Sequence, residues 1–213
     1  GPERPGGSPN ANAECSGSTG VFIQNPNPQD VIDTNTEFGT SISRSGVINY
    51  LNLFGQTTSN NHKSNDPVSE LYYAAVRYMR GETNVSTYTS MTSNQARNAD
   101  GFPVISDWSK GGTHDPIEFS CQINVALGIG DIYTHDDKNL PGPTATNDEP
   151  PKPAEVLADT WIDVVSVANR VSAMEGIGYA GNANQFTGRD NSAHVAALAY
   201  WANTTDMRPG SAG

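Results

Sequence analysis

The feature that most constrains the fold is the run Phe119-Ser120-Cys121-Gln122-Ile123-Asn124-Val125-Ala126-Leu127-Gly128-Ile129-Gly130-Asp131. It opens with apolar and polar residues in alternation and closes as a continuous apolar stretch, the pattern of a strand buried on both faces of a parallel sheet. Such a strand needs neighbours on both sides and helices above and below, so a layered α/β fold is expected. The closing Gly130-Asp131 then sets a carboxylate at the carboxyl edge of the sheet, where open α/β folds present ligands.

Helical periodicity supplies the covering layers. Val47, Ile48, Leu51 and Phe54 predict an amphipathic helix on a core from about 43 to 54, stopped by Gly55. The 66–80 segment is better punctuated, with Asp66 as N-cap, Pro67 at the first helical position, Glu70 near the positive end of the dipole and Gly81 as stop. Its buried stripe is predicted to be Val68, Leu71, Tyr72, Ala75 and Met79. After a Pro-rich linker, residues 154–174 predict one long helix using Val156, Trp161, Val164, Val165 and Ala168. A last helix starts at Asn191 or Ser192 and carries Val195, Leu198 and Ala199. Val21-Phe22-Ile23 is a short strand candidate closed by Asn25-Pro26-Asn27-Pro28. One central strand, one short strand and four helices leave the sheet without enough partners, so its flanking strands are expected outside this chain or from another chain.

Charge narrows the function. Twelve Lys and Arg against 23 Asp and Glu give a net charge of −11, which excludes binding to nucleic acid through a basic surface. No stretch approaches the roughly 20 apolar residues of a membrane span, and no signal peptide is expected at the first residues. Charged residues make up 16%, against about 25% in an average soluble domain, which suits an extracellular protein. Cys15 and Cys121 permit one disulfide in an oxidising compartment, and two separate thiols explain them equally well.

Few residues group as a reaction centre would require. Asp131, His135, Asp136 and Asp137 could offer oxygen ligands to Ca²⁺ or Mg²⁺, but they lack the spacing of a calcium loop, and a solvated acidic turn is the simpler expectation. The four histidines have no zinc spacing, and neither Gly-x-Ser-x-Gly nor a Cys-His arrangement occurs. Gly128-Ile129-Gly130 is too short for a dinucleotide fingerprint. The segments 82–116 and 132–153 are long loops whose bulky groups, Trp108 and Tyr133 among them, are the kind that anchor interfaces.

The segments 64–78 (Ser64-Asn65-Asp66-Pro67-Val68-Ser69-Glu70-Leu71-Tyr72 onward), Asp100-Gly101-Phe102-Pro103-Val104-Ile105, the 119–131 run, Asp137-Lys138-Asn139-Leu140-Pro141-Gly142 and 198–209 resemble the amino-terminal region of PilY-type proteins, tip adhesins of bacterial type IV pili. The matches run in family order from about residue 13 to 209. The resemblance implies a von Willebrand factor A-like (Rossmann-like) domain, here a partial one over 20–209 with a tail or edge loop at 1–19 and a tail at 210–213. That fold carries a divalent metal on its sheet edge. Asp66 then stands where the family has a Thr, and Asp131 matches the later Asp. The family's Asp-x-Ser-x-Ser first-strand motif is absent ahead of both, and Asp107-Trp108-Ser109-Lys110-Gly111 falls between them, so at most weak Ca²⁺ or Mg²⁺ binding is implied.

The resemblance further implies a non-enzymatic adhesion and pilus-assembly module at the cell surface or pilus tip, engaging minor pilins, pilin-like subunits or a host or surface receptor. The competing expectations are a structural packing unit of a larger fibre, and an extracellular hydrolase using Asp131 and His135 as acid and base.

Overall fold

The computed structural model describes residues 14–53, 56–58, 61–62, 67–90, 102–119, 121–130, 134–135, 137–144, 149–177 and 192–210. They form two compact units, one from 1–63 with 91–104 and the other from 64–90 with 105–213. Within these residues the secondary structure is helical apart from one short hairpin, with helices α1 (Pro28–Phe38), α2 (Val47–Leu53), α3 (Val68–Arg80), α4 (Ser86–Thr89), α5 (Ala154–Ala158), α6 (Val164–Glu175) and α7 (His194–Thr204). The hairpin pairs β1 (Gln56–Thr58) with β2 (Asn61–His62) antiparallel.

The first unit is held mainly by polar side chains that reach backbone. Asn27 caps α1 by accepting from the Asp30 N–H at 3.2 Å, Pro28 opens the helix, and Gly39 closes it in the left-handed region at φ 64°. This helix was not expected, although its Asn-Pro start and Gly stop are ordinary helix punctuation. Glu14 supplies a cap from a distance, its carboxylate accepting from the N–H groups of Val47 at 2.6 Å and Ile48 at 3.2 Å at the start of α2. Gly46 allows that approach, because a Cβ there would meet Pro26 Cγ at 2.8 Å and the Glu14 carboxylate at 3.0 Å. The expected helix at 43–54 is therefore present but shorter at its start, and its apolar residues Val47, Leu51 and Leu53 are exposed instead of buried. Val21-Phe22-Ile23 contributes a single bridge, Phe22 to Cys15, and all three side chains are exposed.

The second unit holds the apolar core, in which α7 packs on both α6 and α3. Tyr73 of α3, Val85, Leu140, Val156 of α5, Ile162, Val164 and Ala168 of α6, and Ala197 and Leu198 of α7 are buried together. Trp161 stacks on Tyr73 with ring centroids 5.8 Å apart and tilts against Trp201 at 4.7 Å. The Arg80 guanidinium lies 4.5 Å from the Trp161 ring centroid, within cation–π range. Beneath this aromatic layer, buried Arg77 pairs with Asp159, which also accepts from the Tyr73 hydroxyl, while the Arg77 Nη2 donates to the Thr83 carbonyl at 2.6 Å. The charge is matched and its hydrogen bonds are made, the condition under which a buried ion is tolerated.

Two helical expectations change in this unit. The single helix at 154–174 is broken into α5 and α6, because Asp159 turns inward to Arg77 and Asp163 caps a new start by accepting from the Ser166 N–H at 3.0 Å. On α3 the residues facing the core are Ser69, Tyr73, Val76 and Arg77, whereas Leu71 of the expected stripe is 67% exposed.

Among the described residues the layered α/β sheet, and with it a partial von Willebrand factor A-like domain, is not found. The run that argued for it passes from 122 to 130 without helix, turn, bend or ladder partner. Its side chains Ile123, Val125, Leu127 and Ile129 are 89, 77, 82 and 89% exposed. The apolar pattern led to an expectation of burial that the structure contradicts, because no described strand of this chain pairs with it. Each such side chain forgoes about 1.5–3 kcal/mol that burial would supply.

Candidate functional site

The densest polar assembly lies where the segment 134–144 crosses the amino ends of α3 and α7. Asp137 is fully buried and accepts from the Ser69 N–H, from the Ser69 hydroxyl at 2.6 Å, from the Ser192 hydroxyl at 2.7 Å and from the Thr134 hydroxyl at 3.1 Å. Ser69 lies in the first turn of α3, and Ser192 stands just before α7, where its Oγ also receives the His194 N–H at 3.3 Å. One carboxylate therefore ties two helix starts together, each presenting unpaired N–H groups and the positive end of a dipole. Burial pushes the Asp137 carboxyl above the ordinary carboxylate range, while the donors from Ser69, Ser192 and Thr134 act in the opposite sense.

The residues after Asp137 extend the strap. The Lys138 N–H donates to Glu149 at 2.6 Å, the Asn139 N–H to Glu70 at 2.9 Å, and the Asn139 side chain to the Pro150 carbonyl at 3.0 Å. Lys138, Asn139 and Leu140 are all buried. The expectation that 132–153 is an exposed binding loop is thus corrected for 137–141, which form interior packing, while Gly142, Thr144, Pro150 and Pro151 are exposed. A solvated acidic turn is likewise excluded for Asp137.

His194 sits beside this strap, buried, with no hydrogen-bond partner at either ring nitrogen among the described residues. Burial lowers its pKa from 6.5 to about 4, helped by the positive charges of Lys152 and Lys138 and opposed by Asp163. It is therefore a neutral core imidazole at ordinary pH.

Asp66, Asp131, Tyr133 and Asp136 lie outside the described residues, and His135 is half-buried. Of the four carboxylates singled out as metal ligands, Asp137 alone is described, and its lone pairs are already taken by N–H and O–H donors. Among the described residues no three His, Cys, Asp or Glu side chains converge. The described geometry at Asp137 does not fit a Ca²⁺ or Mg²⁺ site. Cys15 and Cys121 are free thiols at exposed positions.

Trp108 belongs to a packed turn. Its ring meets Tyr78 edge to face at 5.5 Å, and the same turn carries a contact from Asp107 to His114 at 2.8 Å. The turn is fastened by Arg208, which grips Asp115 through both carboxylate oxygens, at 2.6 and 3.0 Å, and donates to the Met79 carbonyl at 2.7 Å. The Arg208 guanidinium holds the Asp115 carboxyl far below its usual range. Tyr78, Ile105, Trp108, His114 and Glu118 border an open cleft of about 430 Å³ on this side.

Sequence reasoning singled out Asp137 but not its partners. Ser69, Thr134 and Ser192 look like ordinary cap and turn residues, and only the segment's charged-then-apolar order, Asp-Lys-Asn-Leu-Pro-Gly, hinted at an interior role. Arg77, in the middle of an apolar helix, was the clearer signal for a buried acidic partner.

Residues 7–202 match the family model described as PilY1 homolog, second domain. The chain is 47% identical over 214 aligned residues to the type IV pilus biogenesis factor PilY1 homolog of Xylella fastidiosa, a match covering 94% of this chain and 17% of that protein. The chain thus spans about a sixth of the length of the curated relative it matches. No solved structure matches it.

Proposed function

The chain belongs to the PilY1-homolog second-domain family, and on that premise we propose that it is a non-enzymatic adhesion and assembly module of a type IV pilus, placed at the cell surface or pilus tip. The observation that carries this reading is the 47% identity along nearly the whole chain to a type IV pilus biogenesis factor. Its partners in this reading are minor pilins or pilin-like subunits, with a surface receptor for the adhesive role. The Tyr78–Trp108 cleft supports a contact for such a partner, because it sets an aromatic pair and the Glu118 carboxylate on an open face whose lining residue Asp115 is held by Arg208.

The test is genetic, in a piliated bacterium that makes the longer parent protein. Removing this region from the parent should reduce pilus number and twitching, with immunoblotting to show that the shortened parent is still made. Trp108→Ala should lower adherence while leaving pilus number unchanged. A strain lacking the region that keeps normal pili, motility and adherence would defeat the proposal. The packing-unit reading is favoured by the exposed apolar run at 123–129, and loss of pili in the deletion strain with full adherence in the Trp108→Ala strain would select it.

A further inference from the structure

We infer that residues 121–130 are a docking edge, and that its occupant is a β-strand from the part of the longer polypeptide outside these 213 residues. Among the described residues, none from 123 to 130 makes a backbone–backbone hydrogen bond, and the single bond made at that end joins the Gln122 N–H to the Phe119 carbonyl at 3.1 Å. The segment therefore presents a row of unmade donors and acceptors along a run free of bends, which is what an incoming strand pairs with.

Side chains specify the partner further. Ile123, Val125, Leu127 and Ile129 occur at every second position, while Asn124, Ala126, Gly128 and Gly130 fill the alternate ones. Period-two alternation sends the bulky set to one face of a strand and the small set to the other. All four bulky residues are exposed, and nothing among the described residues covers them.

The small-residue side does meet this chain, since a Cβ added at Gly130 would lie 3.4 Å from Val68 of α3. Asn124, Val125 and Ala126 border a groove of about 240 Å³ with Tyr72, Ala75 and Met79 of α3. The edge is therefore seated on a helix whose Tyr72, Ala75 and Met79 line the same groove, and Leu71, next to Tyr72 in sequence, is exposed. An occupant that ladders onto 123–129 and lays apolar side chains over Leu71 and the groove would cover both surfaces together.

The longer polypeptide is the occupant favoured here, because the curated relative extends this chain to about six times its length. A strand tethered in the same molecule is present at high effective concentration, whereas a second copy must be recruited from solution.

Hydrogen exchange on the full-length parent and on the 213-residue chain tests the assignment. At least alternate amides between 123 and 129 should exchange at unprotected rates in the short chain and 100-fold or more slower in the parent. Leu127→Pro, which removes one ladder donor, should leave the melting temperature of the short chain unchanged and abolish the added protection in the parent. Equal, unprotected exchange in both proteins would overturn the inference. So would protection in the short chain that rises with concentration alongside a dimer in light scattering, which would assign the edge to a second copy. A Leu127→Pro short chain that melts markedly lower would make the segment part of the core and would also overturn it.

Discussion

Replacing His194 should remove a pH dependence that the fold imposes. The ring is buried with neither nitrogen paired, and its pKa in the folded chain is lowered from 6.5 to about 4. Between those values the unfolded chain binds a proton that the folded chain refuses, so stability falls as pH drops through the window and is complete above about 6.5. At about 1.4 kcal/mol per pH unit the gap bounds the loss at roughly 3 kcal/mol by pH 4, with about 2 kcal/mol of it already gone at pH 5. Asp137 works in the opposite sense, because burial raises its carboxyl and its contribution is lost as pH rises through the folded value. Comparing the unaltered chain with His194→Leu cancels that second effect. Urea unfolding followed by circular dichroism at pH 7 and pH 5 should give a stability difference about 2 kcal/mol smaller in His194→Leu. At pH 7 the variant should be no less stable, since an apolar side chain of similar size replaces two unpaired polar atoms. If both proteins lose the same stability between pH 7 and pH 5, His194 is solvated and the account of this corner of the core is wrong.

Two further substitutions probe the strap and its surroundings. Asp137→Ala strips the acceptor from one buried N–H and three hydroxyls at the starts of α3 and α7, and should cost about 3–5 kcal/mol in urea unfolding at pH 7; a loss under about 1 kcal/mol would mean that the hydroxyls re-pair freely. Gly142→Ala should cost about 2–4 kcal/mol, because φ there is 110° and a Cβ would stand 2.4 Å from the Asp163 carboxylate that caps α6, and an unchanged urea midpoint would show that the cap can move aside.

Helix stops were more legible in the sequence than helix starts, since Pro67, expected at the first helical position, is itself the N-cap of α3 and makes no side-chain cap bond. Gly81 ends α3 in the left-handed region at φ 70°, its N–H returning to the carbonyls of Arg77 and Tyr78, as the Arg-Gly sequence at 80–81 requires. The helix with Leu198 was also foreseen, and it begins at His194, two or three residues after the expected start. What could not be read was any contact whose partner is distant in sequence. Asp159 stops a helix that its own neighbours would continue, because Arg77 stands 82 residues away in the chain and next to it in space. Asp137 looked like one member of an exposed acidic turn, and only the two serines at remote helix starts make it an interior group.

The larger error followed from treating periodicity as a statement about what covers a surface. On α3, positions 68, 71, 72, 75 and 79 fall on one side of the helix, and 69, 73 and 76 on a side about 100° away, because 3.6 residues complete a turn. Both sides are rich in apolar residues. The chain buries the second, with Tyr73 and Val76 in the core. The neglected side carries exposed Leu71 and borders the groove beside Asn124, Val125 and Ala126. That side is partly covered inside the chain, since Tyr72 packs against the core and Val68, Ala75 and Met79 are half-buried, so Leu71 and the run at 123–129 are the apolar groups left exposed beside it. Mutations confined to the core face, such as at Tyr73, report on folding of this chain, whereas those at Leu71 or Leu127 report on what the chain joins.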